Sequence, residues 1–163
     1  MKFGRKRRSE HRKIWSQFEN RIMEESRYFR IGCVQVPSGV RISGAKTFRF
    51  KTKFDFAAGV KGKAVFFDAK TCGEDEFNFK SLAIRDKKKH QYDSLVEIRE
   101  FGNEAGYLIW FYKHKIIAWA DVLVIKTMIE AGKKSVRYND SGLRYKSDDL
   151  PIDLEDFVFG NRI

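Results

Sequence analysis

The stretch KTKFDFAAGVKGKAVFFDAK, Lys51 to Lys70, constrains the fold more than any other part of the chain. It opens on a basic, aromatic run ending at Asp55, turns through Gly59-Val60-Lys61-Gly62, and returns through Ala64-Val65-Phe66-Phe67 to Asp68-Ala69-Lys70. A short, fully apolar run bounded by turn residues and charges reads as a central strand, buried on both faces. Side chains alternate along a strand, so Asp68 and Lys70 share one face, and Ala69 lends that edge only its backbone carbonyl. Two carboxylates and a lysine at the ends of a β-hairpin meet the needs of a metal-dependent phosphodiesterase. The acids supply oxygen ligands for a hard cation, and the lysine supplies positive charge beside the attacked phosphate.

A chain of 163 residues, 42% hydrophobic with 15 phenylalanines, holds one good core and is too short for two ordinary domains. So much apolar surface argues against disorder, and 1–163 is expected to be a single domain. The formal net charge of +11 favours a polyanionic partner, nucleic acid foremost, although a basic ribosomal-type protein has the same balance. Cys33 and Cys72 have no metal-ligand spacing and are too few for a disulfide scaffold, which fits a reduced, cytoplasmic setting. No apolar run reaches transmembrane length, and the basic N-terminus has no apolar segment behind it, so no membrane partner is expected.

Residues 1–13 carry seven basic residues against Glu10 alone. Residues 1–9, with Arg5, Lys6, Arg7 and Arg8, are therefore expected to form a flexible basic arm that tracks phosphates, or else a solvated tail. Ser9 is a plausible N-cap for a helix to about Tyr28, on which Ile14, Trp15, Phe18 and Ile22 make an apolar stripe. Glu19 lies beside that stripe. A carboxylate there is costly unless a cation or metal meets it. The plainer reading is a surface glutamate in partial ion pairing with Arg12 or Lys13.

Phe29 to Val36 reads as a strand ended by Pro37-Ser38-Gly39. Residues 37–53 then form a stalk-like basic projection, with Arg41, Lys46, Arg49, Lys51 and Lys53 and no acid after Val40. Alternation places Phe48, Phe50, Thr52 and Phe54 on one face and Arg49, Lys51, Lys53 and Asp55 on the other. A cationic face of this kind suits a grip on DNA, and an ordinary surface hairpin shares the pattern. Thr71 through Asn78 reads as a loop, with Phe77-Asn78-Phe79 a short strand or a hydrophobic latch. Asp86 can cap a helix to about Phe101, on which Gln91 faces inward with Leu95 and Ile98. Gln91 would then need a polar partner, be it a phosphate, an attacking water or the neighbouring strand. Lys87, Lys88, Lys89 and His90 oppose the dipole of that helix, which suggests phosphate contact.

Ala105–Phe111 and Ile116–Trp119 are further strands. Asp121 caps a helix ended by Gly132, and Ser135 to Tyr138 can add a strand. Residues 147–163 are expected to be an acidic C-terminal tail packed loosely on the body. The order of elements gives an α/β fold, a mixed β-sheet flanked by helices.

Asp55, twelve residues, then Asp68-Ala69-Lys70, behind a helix bearing Glu19, resembles the PD-(D/E)xK nuclease superfamily. With the basic projection before Asp55 and the His90-Gln91 helix after it, residues 10 to 125 look most like the Holliday junction resolvases of the RecU and Hjc type, phage-encoded relatives included. Two departures stand out: Phe54 precedes the first aspartate where the superfamily name has proline, and Asp68 stands where resolvases usually carry glutamate.

The resemblance implies a restriction-endonuclease-like fold with a protruding basic hairpin. Glu19, Asp55, Asp68 and the Ala69 carbonyl would hold Mg2+, with Mn2+ able to substitute. Lys70 would orient or deprotonate the attacking water, Thr52 would touch the scissile phosphate, and Gln91 would stand behind them. It also implies a homodimer acting on branched DNA, a four-way junction, by paired symmetric nicks. The alternatives are a restriction-like or nicking nuclease of the same superfamily, and a non-catalytic basic DNA-binding protein.

Overall fold

The computed structural model describes residues 3–37, 40–43, 46–49, 53–82 and 89–160, with side chains for 9–37, 53–82 and 90–160. Lys51, Thr52, Lys87 and Lys88 lie outside the described residues, and of Arg5–Arg8, Arg41, Lys46, Arg49 and Lys89 only the backbone is described.

The Lys51–Lys70 stretch does build the centre. Strand β4 (Phe56–Val60) and strand β5 (Lys63–Cys72) pair antiparallel through a two-residue turn, with Phe56 opposite Phe67. Lys61 and Gly62 both have positive φ, 50° and 72°, which matches the turn twist that joins strands without splaying them. The turn is thus shorter than Gly59–Gly62, because Gly59 and Val60 keep their places in the ladder.

Six strands form one sheet in the order β1-β4-β5-β7-β8-β10. The others are β1 (Gly32–Gln35), β7 (Glu104–Phe111), β8 (Ile116–Asp121) and β10 (Arg144–Ser147). Among the described strands only β5 and β7 pair in parallel; the connection they require contains helix α2 (Lys89–Glu100). The expected mixed sheet flanked by helices is what forms.

The sheet has a core on each face. On one, Tyr107, Ile109 and Phe111 pack with Leu95 of α2 and with Val122 and Ile125 of α3 (Val122–Glu130), whose N-cap is Asp121 as expected. On the other, Phe67, Ala69 and Trp119 pack with Phe18 and Ile22 of helix α1 (Phe3–Tyr28) and with Phe157 of helix α4 (Leu154–Phe159). β5 therefore contributes to both cores, which is why its sequence is apolar without interruption from Ala64 to Phe67.

Four expectations need correction. The backbone of residues 3–9 is helical and not a flexible arm: arginine and lysine are good helix formers, and α1 extends back through them past Ser9. The FRFKTKFDF alternation does not run as one strand. β2 (Val40–Ser43) and β3 (Lys46–Arg49) make their own two-stranded sheet, and the chain bends at Lys53 and Asp55 before β4 starts. Thr71 and Cys72 belong to β5, and β6 (Phe77–Asn78) pairs with β9 (Ser135–Val136), so less of 71–78 is loop than expected.

The fourth concerns the acidic tail, which is not loosely packed. Ile152, Leu154, Phe157 and Val158 are all buried, Asp153 caps α4 by accepting from the Glu155 and Asp156 N–H groups, and Glu25 of α1 accepts from the Ile152 N–H. Glu155 and Asp156 sit in the first turn of α4, and its buried Leu154, Phe157 and Val158 close the α1 core.

Candidate active site

Asp55 lies just ahead of β4, and its backbone stays tied to the sheet on both sides. Its carbonyl accepts from the Val36 N–H at 2.8 Å, and its N–H donates to Asp68 Oδ1 at 2.9 Å. Asp68 is only 1% exposed, and its other oxygen, Oδ2, accepts from the Lys70 ammonium at 3.1 Å. The i, i+2 spacing of β5 thus does what strand geometry requires, setting acid and amine side by side on one face. Burying Asp68 is tolerable because each of its oxygens meets a donor. Tyr107 lies in register with Asp68 on β7. Burial first, and then the Asp68 charge, hold its phenol well above the ordinary tyrosine range.

Glu19 arrives from α1, on the other side of the sheet from α2. It is 7% exposed, so the surface-glutamate reading with Arg12 or Lys13 fails, and both of those residues are exposed. Burial is the main cause that raises its carboxyl to about 7, and the Asp55 charge adds to it. A hydrogen bond from the Gln35 side chain and the Lys70 ammonium pull the other way. Glu19, Asp55 and Lys70 therefore sense one another's charge across the end of the sheet.

Beside them opens a cleft of about 970 Å³ whose lining includes Asp55, Ala69, Lys70 and Gln91. Gln91 is half-buried in the first turns of α2 and does face the site. The fold thus brings together Glu19, Asp55, Asp68, Ala69, Lys70 and Gln91. Thr52 cannot be placed with them, since it lies outside the described residues.

Gln35 and Tyr107 were not anticipated. Gln35 reaches Glu19 because β1 pairs with β4 in the register Gln35 to Phe56, a long-range match that no local pattern signals.

A family model, Recombination protein U, matches residues 25–150. The chain belongs to this family. RecU proteins are Holliday junction resolvases, hence endonucleases acting on branched DNA. The RecU match extends past residue 125, so the α3–β10 region is part of the family's domain and not an addition to it. It begins after Glu19, which leaves all but the last four residues of α1 outside the matched residues.

Among solved structures the chain is similar to Hjc of Archaeoglobus fulgidus, described as a Holliday junction resolvase from an archaeal hyperthermophile. That similarity has 17% identity, a TM-score of 0.49, and coverage of 86% of this chain and 97% of the other. Comparison with curated proteins gave no match. Among the described residues no helix is long and apolar enough to cross a membrane.

Proposed function

We propose that this RecU-family chain is a divalent-cation-dependent endonuclease that resolves four-way DNA junctions as a homodimer, by paired symmetric nicks. One observation carries the reading: Glu19 of α1 feels the charges of Asp55 and Lys70, and Asp68 of β5 bonds the Asp55 N–H and the Lys70 ammonium, beside an open cleft lined by Asp55 and Lys70.

The donor chemistry fits a hard cation. All the donors are oxygens, and the Asp55 charge presses on a buried Glu19, an arrangement that an added cation would relieve. Asp68 has both oxygens engaged, and no group of three or more His, Cys, Asp or Glu side chains is gathered at one point among the described residues. Glu19 and Asp55 are accordingly the principal ligands, with the Ala69 carbonyl beside them and Asp68 sharing its remaining lone pairs. When bound, Mg2+ or Mn2+ would acidify a water and offset charge on the phosphate.

The chain's own residues do the rest. Asp68 fixes the Asp55 backbone and holds the Lys70 ammonium at the cleft wall. From there Lys70 can meet a non-bridging phosphate oxygen or orient the attacking water. Gln91 can donate to phosphate from the facing helix. The basic residues of the β2–β3 hairpin, of α1 before Ser9, and Lys53 supply sequence-independent phosphate contact. Two-fold symmetry of a junction matches a two-fold dimer with one site per arm pair.

The test is cleavage of a synthetic four-way junction and of linear duplex of the same sequence, with and without Mg2+, by wild type and Asp55→Asn. Junction nicking that needs both the cation and Asp55 supports the proposal. Equal cutting of both DNAs would leave a general nicking nuclease, and no cutting of either would leave a binding protein.

A further inference from the structure

The cleft reaches well beyond the residues that would handle the phosphate, and its far end has a different character. Asp55 and Lys70 line it side by side, both hydrogen-bonded to Asp68. Past Lys70 the lining follows the end of β5, where the Tyr112 N–H donates to the Cys72 carbonyl at 3.1 Å and Glu74 comes next, and it also includes Trp15, Glu10 and Lys113. Trp15 stands four residues before Glu19, one helical turn away on the same side of α1. It is 40% exposed, so part of the indole is open to the cleft and not spent on the core.

The Tyr112 wall is fixed from behind. Its ring meets Trp110 edge-on at 6.0 Å, and Trp110 meets Phe18 at 5.6 Å and donates from Nε1 to Asp148 at 2.8 Å. The Tyr112 phenol lies over Gly73, where any side chain would collide with its hydroxyl. A rigid aromatic wall and a half-open indole thus border the same space.

Charge decides what can enter. Carboxylates of Glu10 and Glu74 border the far end, and the Lys113 ammonium is 4.0 Å from Glu74. A second phosphate would meet repulsion there. A flat, uncharged ring would not, and exocyclic amines on its edge would find acceptors. We propose that this end of the cleft is a nucleobase subsite: a base drawn out of the stack beside the scissile phosphate lies against Trp15, with Tyr112 limiting its depth. The subsite rests on the nuclease reading above and sharpens it. Regular duplex would have to unstack a base to fill it, whereas nucleotides at a branch point are already less stacked, so preference for branched DNA is built into the cleft.

The experiment measures junction affinity by fluorescence anisotropy, with chelator present so that no DNA is cut. Wild type, Trp15→Ala and Trp15→Phe are each titrated with an intact junction and with junctions carrying one abasic residue at successive positions around the mapped cut. Base–aromatic stacking of about 1–3 kcal/mol predicts that Trp15→Ala weakens binding roughly 5- to 150-fold. Trp15→Phe should recover most of the loss, an outcome that simple misfolding would not produce. At one position the abasic residue should weaken wild type to a similar degree and leave Trp15→Ala unaffected. If every abasic position weakens wild type and Trp15→Ala by the same ratio, the subsite is overturned even while the junction is cut normally. If wild type binds and cuts linear duplex as well as the junction, the junction-resolving reading itself has failed.

Discussion

Glu19 offers the sharpest test of the site, because its fold position costs stability in a way that depends on pH. Burial and the Asp55 charge raise its carboxyl from 4.5 to about 7. Below pH 4.5 the group is protonated in both folded and unfolded chains and carries no penalty. Between 4.5 and about 7 the unfolded chain releases the proton and the folded chain keeps it, so stability falls as pH rises. Above that range the folded carboxyl is ionised as well, and the penalty stays constant. At 1.36 kcal/mol per pH unit, the full cost is about 3 kcal/mol.

Glu19→Gln removes the charge and keeps the shape. In urea unfolding at pH 5 and pH 8, the substitution should be nearly neutral at the lower pH and stabilising by about 2–3 kcal/mol at the higher. A divalent cation that takes Glu19 and Asp55 as ligands offsets the same repulsion. Millimolar Mg2+ should therefore stabilise wild type at pH 8, stabilise it less at pH 5, and stabilise Glu19→Gln little at either. Parallel pH profiles for the two proteins would refute the placement of Glu19 against Asp55. A Mg2+ effect of equal size in both proteins would remove Glu19 from the ligand set.

The other predictions concern the supports of the site. Lys70→Ala leaves the buried Asp68 carboxylate with the Asp55 N–H as its remaining described donor, and should cost about 2–4 kcal/mol in denaturant unfolding as well as junction cleavage. Phe157→Ala opens a cavity in the core that holds α1 against the sheet, and thermal unfolding should register a loss of about 3–5 kcal/mol. Gly73→Ala drives a methyl group into the Tyr112 hydroxyl and should displace that ring at a cost of about 1–3 kcal/mol, read by unfolding and by the tyrosine signals in an NMR spectrum.

What was legible in the sequence is what local periodicity controls. The alternation of β5 placed Asp68 beside Lys70, the hairpin turn brought Asp55 to the same edge, and Asp121 before an apolar helical run announced its own cap. Contacts set by long-range register were not legible: Gln35 meets Glu19 only through the pairing of β1 with β4. The acids of residues 148–156 hid an amphipathic closure, because Ile152, Leu154, Phe157 and Val158 form a stripe only once the chain coils after Asp153.

The first helix shows why a pattern that is nearly right can still misplace function. Ile14, Trp15, Phe18 and Ile22 fit one apolar stripe, and that stripe leaves Glu19 at its margin. In the fold the buried column is Phe18, Ile22 and Ser26, flanked by Glu19, while Trp15 is 40% exposed. At about 100° per residue Glu19 stands only about 20° from Ser26, and Trp15 stands between Ile22 and Ser26, so Trp15 is open because of its place along the axis and not its direction. Hydropathy alone does not say where along a helix the cover ends. The sheet decides it: Phe18 packs on Trp110, whereas Trp15, nearly a turn closer to the N-terminus, lines the cleft. The cover therefore stops between Phe18 and Trp15, and a tryptophan expected on the apolar stripe is left partly open to the cleft, where the proposed base subsite requires it.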